Sequence, residues 1–537
     1  MIKGIDPHRY RYPSRRSLVY GSRGMVATSH PQAAQAGLDV LKKGGNAVDA
    51  AVATAAALTV VEPTSNGLGS DCFAIVWKDG RMYGMNGSGP SPKLLTNDLL
   101  KRSGLDRLPQ MGWFPVCVPG AVGAWAALAR RLGRLGLSES LAPAVDLARS
   151  GVAVPPVVAH NWDLASVKYD KQADNPELAS WFDTFLPDGR SPKPGQIVKL
   201  HNHARTLEAI ANSDGESFYR GEIADRIAGF SKKTGGLLDL PDLGDYRPKW
   251  VEPISVNYRD TTVWELPPNG QGLVALLALG ILDGMEAGEW DDPLAVHRRI
   301  EAIKLAFADG QRYICDPDRG DIPVEELLSP DYLTSRRDLI GDRAIRPEAG
   351  DPHSGGTVYV AVADGNGTMV SLIQSNYTGF GSGVVVPGTG IALNNRGLGF
   401  SMEPGHPNEL APGKRPYHTI IPGFLSRGDE PIGPFGVMGA YMQPQGHLQV
   451  LTGMLDHGMN PQEALDAPRW QWTGGLDVTV EPSFPSDLAQ ALERLAHRVS
   501  ISLNSDSFGR GQMVFRTSDG SLVGATEPRA DGTVATW

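Results

Sequence analysis

The sequence predicts a layered α/β protein. Three observations lead there. Helical patterns lie on both sides of a run of β-rich segments in the chain. One helical pattern is apolar on nearly every face and must be buried. The 537-residue chain, with 41% hydrophobic and 20% charged residues, is long enough to bury a large core and admits two to four domains. These patterns alone do not choose among layered α/β folds.

The elements follow in chain order. Residues 31–42 read as a helix, because Pro31 suits a first helical turn and Gly44-Gly45 stop it. Residues 46–60 form the buried helix, with Asn46 as its N-cap. Residues 72–77 are β-rich and read as a buried strand. Helices are expected at 120–132, 272–284 and 293–309. Strands are expected at 357–363, 368–375, 383–386 and 390–394, and helices again at about 445–457 and 485–497. Between the helical and strand-rich parts, Arg343–Gly356 is polar and rich in Pro and Gly, the composition of a loop.

Composition excludes several classes. The net charge is -10, which leaves no excess of cations to neutralise phosphates and argues against nucleic-acid or anionic-membrane partners. The basic run His8–Arg16 is short. No secretory leader or bilayer-spanning stretch is read, and Cys72, Cys117 and Cys315 form no CxxC pair or disulfide framework. A cytoplasmic protein is expected. There is no HExxH, Walker or GxSxG motif. His353, His406, His418 and His447 lack paired ligand spacing, so no metal and no cofactor are expected. The glycines at 379, 381 and 383 precede β-residues and Pro387 rather than a helix, so they are not a phosphate cradle.

Thr357 follows Gly355-Gly356 and opens an alternating strand. Alone, a threonine at a strand start is ordinary. A cut before it would change its chemistry. An N-terminal threonine carries a nucleophilic hydroxyl and, in its α-amine, a base whose pKa lies near ~7.7–8.0. Gly356 leaves the scissile bond unhindered. The cut would give pieces of 356 and 181 residues.

The segments G-G-N-A-V-D-A-A-V-A (44–53), V-E-P-T-S-N-G-L-G (61–69), L-P-P-N-G-Q-G (266–272), E-A-I-K-L-A-F-A-D (301–309) and G-K-R-P (413–416), with the 354–400 stretch, resemble signatures of the gamma-glutamyltransferase family in family order. The resemblance spans roughly residues 20–535. It implies a four-layer αββα sandwich of the N-terminal nucleophile hydrolases. Residues 1–356 and 357–537 would build it jointly, as large and small fragments of one self-cleaved precursor. It implies amide hydrolysis or acyl transfer through an acyl-threonine, with Thr357 as nucleophile. Ser375 falls on a second hydroxyl that bonds the nucleophile, and Gly439-Ala440 on the family's oxyanion-hole Gly-Gly. The substrate is expected to be a small amide or peptide.

The departures concern the acyl pocket. The family's arginine for the α-carboxylate is missing from Tyr83–Pro90, and Gly399 stands where the family has an aspartate for the α-amine. Tyr377 replaces an asparagine; Asn376 is adjacent, but strand alternation turns it from Ser375. His418-Thr419 replace paired serines. Arg396 replaces a pocket glutamine; it either anchors a substrate carboxylate or pairs with an acid on the surface. The Ser401–Lys414 loop is shorter than in family members with a lid. The expected activity is cleavage of a gamma-glutamyl or related amide. The alternatives are an acylase on a non-glutamyl amide (cephalosporin-acylase-like, or acting on a carboxy-amide) and an inactive homologue that serves as a binding protein.

Overall fold

The computed structural model describes residues 16–186, 188–347 and 357–537. Gly356, His353, most of the basic run at 8–16 and the end of the 343–356 loop lie outside the described residues.

Two seven-stranded sheets stack face to face. The first runs, in spatial order, Thr533–Thr536, Gly24–Thr28, Val358–Asp364, Met369–Ser375, Asp71–Lys78, Arg81–Gly87 and Lys249–Val251. The second runs Val19–Gly21, Leu522–Thr526, Arg510–Arg516, Glu430–Met438, Gly423–Arg427, Thr261–Glu265 and Ile254–Tyr258. Strand alternation sorts the side chains. Val358, Val360 and Val362 face outward, into a core shared with the helices Pro31–Lys42, Ala47–Val61 and Ala121–Leu132. Tyr359, Ala361 and Ala363 face inward and meet Phe424, Met438 and Val514 of the second sheet. The outer face of the second sheet packs Phe435, Val437 and Met513 against the helices Gly272–Asp283, Pro293–Tyr313 and Met442–His457. The result is the expected αββα sandwich.

Residues from both sides of position 356 share the first sheet. Val358–Asp364 pairs with Gly24–Thr28 on one edge and Met369–Ser375 on the other, and the latter pairs with Asp71–Lys78. Asn46 caps the buried helix as expected. Its side chain accepts from Val48 and Asp49 N–H groups, and the Asp49 side chain returns to the Asn46 N–H in a capping box.

Some expected elements move. The strands at 383–386 and 390–394 shrink to a two-residue pairing, Val385–Val386 with Ile391–Ala392, because Gly388 and Gly390 turn the chain between them at positive φ. The helix at 293–309 continues to Tyr313. The helix at 485–497 stops at Arg494, because Ala496 takes a left-handed φ of 74° and His497 leads into the strand Arg498–Ile501.

Candidate functional site

Thr357 stands at the head of its strand and is 1% exposed. Its Oγ1 donates to Ser375 Oγ at 3.1 Å. Ser375 Oγ also accepts the Tyr377 N–H at 2.8 Å, so its lone pairs are held from both sides. Tyr377 adopts a φ of 81°, which lets the chain leave the strand sharply after Ser375.

The register extends this pair into a row. Ser375 lies directly opposite Asp71 on the next strand, and cross-strand partners project to the same face. Thr357, Ser375 and Asp71 therefore line one face at the ends of three neighbouring strands. Asp71 Oδ2 accepts from Arg396 Nε at 3.0 Å and faces His418 Nε2 at 3.0 Å. The Ile420 N–H reaches His418 Nδ1, so Nε2 carries the proton and donates. Burial, then the nearby Arg396 charge, lowers the His418 pKa to about 4, which keeps the ring neutral at pH 7. Arg396 Nη1 donates to Thr419 Oγ1 at 2.9 Å, and its guanidinium lies 4.6 Å from the Tyr377 ring centre.

Arg396 departs from the surface-pair alternative. It pairs with an acid, but that acid is the fully buried Asp71 and not a surface group. Its Nη2 is buried without a hydrogen-bond partner among the described residues, as are Asp71 Oδ1 and Asn376 Nδ2. Unpaired buried polar atoms in native proteins call for an explanation, and a bound ligand is one.

The other expected positions are placed as follows. Asn376 Oδ1 accepts from Ser70 Oγ at 2.9 Å. Gly399 has no room for an acid, because a Cβ there would lie 2.3 Å from the Tyr417 carbonyl oxygen. Gly439 and Ala440, at φ 137° and 51°, form the turn between the strand Glu430–Met438 and the helix Met442–His457. Gln271, which sequence reasoning passed over, fastens this turn: its Nε2 donates to Ala440 O at 2.8 Å and Thr419 O at 2.7 Å. The Ser401–Lys414 loop is tied down by Lys414 Nζ, which donates to the Pro407 and Glu409 carbonyls.

Of the singled-out histidines, His406 Nδ1 accepts the Asn408 N–H and His447 pairs with buried Glu265. Among the described residues, one group has metal-ligand spacing, and it uses different histidines: His297, Glu301 and His497. The two rings already bond each other at 2.8 Å, and Lys304 Nζ sits 2.6 Å from Glu301 Oε1. An ammonium there opposes a second cation.

Comparison with known proteins adds the following. The family profile described as gamma-glutamyltranspeptidase matches residues 33–537. A glutathione hydrolase-like YwrD proenzyme of Bacillus subtilis is 37% identical, covering 96% of this chain and 98% of its own. An oxamate amidohydrolase proenzyme of Klebsiella pneumoniae is 36% identical, also covering 96% and 98%. A solved cephalosporin acylase from Bacillus halodurans is 57% identical with a TM-score of 0.97, covering 99% of each chain.

Proposed function

The chain belongs to the gamma-glutamyltranspeptidase family and is a self-processing amide hydrolase or acyltransferase; from that premise we propose that Thr357 is its nucleophile and that its acyl pocket selects a carboxylate-bearing acyl group. The observation that carries the first part is the 3.1 Å bond between Thr357 Oγ1 and Ser375 Oγ at the head of a strand.

In processing, Thr357 Oγ1 attacks the Gly356 carbonyl carbon. The peptide C–N bond breaks, and the acyl group moves from N to O. That shift frees the Thr357 α-amine, and water then hydrolyses the ester, releasing the Thr357 hydroxyl and the Gly356 carboxylate. The precursor becomes residues 1–356 and 357–537, which stay together through the shared sheet.

In turnover, Oγ1 attacks the substrate amide and the α-amine takes the hydroxyl proton. Ser375 holds the hydroxyl in line. The Gly439 and Ala440 N–H groups receive the oxyanion, and such donors act without reorganising. The α-amine returns its proton to the departing amine. Water or an acceptor amine then removes the acyl group from Thr357.

The acyl preference rests on Arg396 Nη2 and Asn376 Nδ2, two donors without a partner among the described residues. A hydrogen bond to a charged group contributes about 1.5–3 kcal/mol. Asp71 Oδ2 is shared between Arg396 and His418, so a free α-ammonium would compete with the Arg396 guanidinium for the Asp71 charge. The names of the relatives, acting on oxamate and on cephalosporins, agree with an acyl pocket broader than γ-glutamyl. Three buried free cysteines fit a reducing, cytoplasmic compartment.

The test has two parts. Purified protein should run as bands of about 38 and about 19 kDa, from 57.5 kDa in the ratio 356:181, with the smaller beginning Thr-Val-Tyr-Val; Thr357→Ala should stay intact. Processed enzyme should hydrolyse oxalyl or glutaryl 4-nitroanilide with a higher kcat/KM than γ-glutamyl 4-nitroanilide. Arg396→Gln combined with Asp71→Asn, which leaves no lone buried charge, should lower that kcat/KM about 10- to 100-fold. Identical intact bands for both proteins would overturn the nucleophile assignment. γ-Glutamyl turnover that is fastest, and unaffected by the pair of substitutions, would overturn the acyl assignment.

A further inference from the structure

A cleft of about 380 Å³ opens beside the catalytic turns. One wall is the helix Pro156–Asp170, which presents Leu164 and Lys168. Facing it are Thr378, next in the chain to Tyr377, whose N–H fixes Ser375, and Met438, next to Gly439. The cleft therefore begins where the nucleophile-orienting turn and the oxyanion turn end.

Its Arg510 end lies on the Gly24–Thr28 side of Thr357, away from Asp71 and Arg396. The strand order is Gly24–Thr28, Val358–Asp364, Met369–Ser375, Asp71–Lys78. Asp71 and Arg396 stand on the Ser375 side. On the Gly24–Thr28 side, Ser29 Oγ donates to Glu62 at 2.5 Å, and Arg510, a cleft residue, lies 3.8 Å from Glu62. A substrate with its acyl part toward Arg396 sends its amine part the other way.

The charges are uneven. Arg510 has Asp506 at 3.2 Å besides Glu62. Lys168 has no ion pair among the described residues; its ammonium rests 5.9 Å from the Tyr169 ring centre. Burial lowers its pKa, the expected effect on an ammonium held partly out of water without an anion. Around it the cleft is largely apolar, and Leu164 is 48% exposed, more surface than a core leucine leaves open.

We propose that this cleft binds the amine side of the substrate, and that Lys168 recognises a carboxylate on an amine with an apolar body. The proposal rests on Thr357 as nucleophile but not on the identity of the acyl group.

The test uses processed enzyme and two leaving groups, 4-nitroaniline and 5-amino-2-nitrobenzoate, which differ by one carboxylate. Each is supplied as its oxalyl, glutaryl and γ-glutamyl amide, and the fastest acyl group is used. The ratio of kcat/KM values, carboxylated over plain, should exceed one. It should fall about tenfold in Lys168→Gln, the effect of one charged hydrogen bond, and be kept in Lys168→Arg. Calorimetric binding of free 5-amino-2-nitrobenzoate, which needs no turnover, should weaken by a similar factor in Lys168→Gln. A ratio near one in the wild type, or a ratio and affinity unchanged in Lys168→Gln, would overturn the proposal. A failure of the acyl assignment would instead change which acyl group is fastest and leave the ratio intact.

Discussion

Replacing Asp71 by asparagine is the sharpest test of how the proposed acyl pocket is held. The Asp71 and Arg396 side chains are both 0% exposed and 3.0 Å apart. At an effective dielectric of ~20, opposite charges at that distance attract by about 5–6 kcal/mol. Asparagine keeps the shape and one acceptor but removes the charge, leaving Arg396 buried with Thr419 and the Tyr377 ring. Breaking a buried pair this way costs about 3–5 kcal/mol, whereas removing both charges is often close to neutral. Asp71→Asn and Arg396→Gln should therefore each lower the stability of the processed enzyme by about 3–5 kcal/mol. The double variant should lose less than either alone. The assay is urea unfolding at pH 7.5 followed by tryptophan fluorescence, with ΔΔG taken from the midpoints. Additive losses in the double variant, or an Asp71→Asn protein within about 1 kcal/mol of wild type, would refute the view that the pair is a coupled unit.

Three further outcomes are expected. Ser375→Ala removes the partner of Thr357 Oγ1 and leaves the Tyr377 N–H unmet; kcat for the best anilide should fall about 10- to 100-fold with little change in KM, and an unchanged kcat would remove Ser375 from the mechanism. Ala440→Gly relieves a φ of 51° while keeping the backbone donor, so activity should stay within about threefold and stability should not fall; a large loss of activity would mean the methyl group, not the N–H, matters. Buried His30, His203 and His418 have pKa values lowered to about 4 by burial, against an ordinary value of 6.5. The unfolded chain takes up protons first, so their contribution is complete above pH 6.5 and is lost as pH falls toward 4, by up to about 3 kcal/mol each. Urea midpoints that stay level from pH 7 to pH 4.5 would contradict this.

What the sequence revealed and what it hid have physical causes. Helices such as Ala47–Val61 carry their start, stop and burial in local pattern, and the alternating strand after Thr357 does the same. The strand Glu430–Met438 does not, because it contains Pro431, Gly433, Pro434 and Gly436, residues that normally mark turns. Gly436 is needed there: a Cβ would lie 2.5 Å from the Tyr359 ring of the facing sheet. Asp71 escaped notice because the β-rich pattern begins at Cys72, and only the register sets it opposite Ser375. Arg396 stood out by itself, but its counter-ion lies 325 positions away in the chain. Pairings of that range are decided by strand order, which local pattern does not encode.

The last strand, Thr533–Thr536, lies against Gly24–Thr28, and the Arg23 N–H and Gly24 carbonyl both bond to Trp537. Those two regions of the chain are neighbours in space. A circular permutant follows from this: a short linker after Trp537 could lead into the segment before Gly24, and the gene could be opened at the 356/357 junction. Its translation product would begin Met-Thr357, and removal of the initiator methionine would expose the threonine amine. Such a protein would be born with its nucleophile uncovered, in a single polypeptide, separating the chemistry of turnover from the chemistry of maturation.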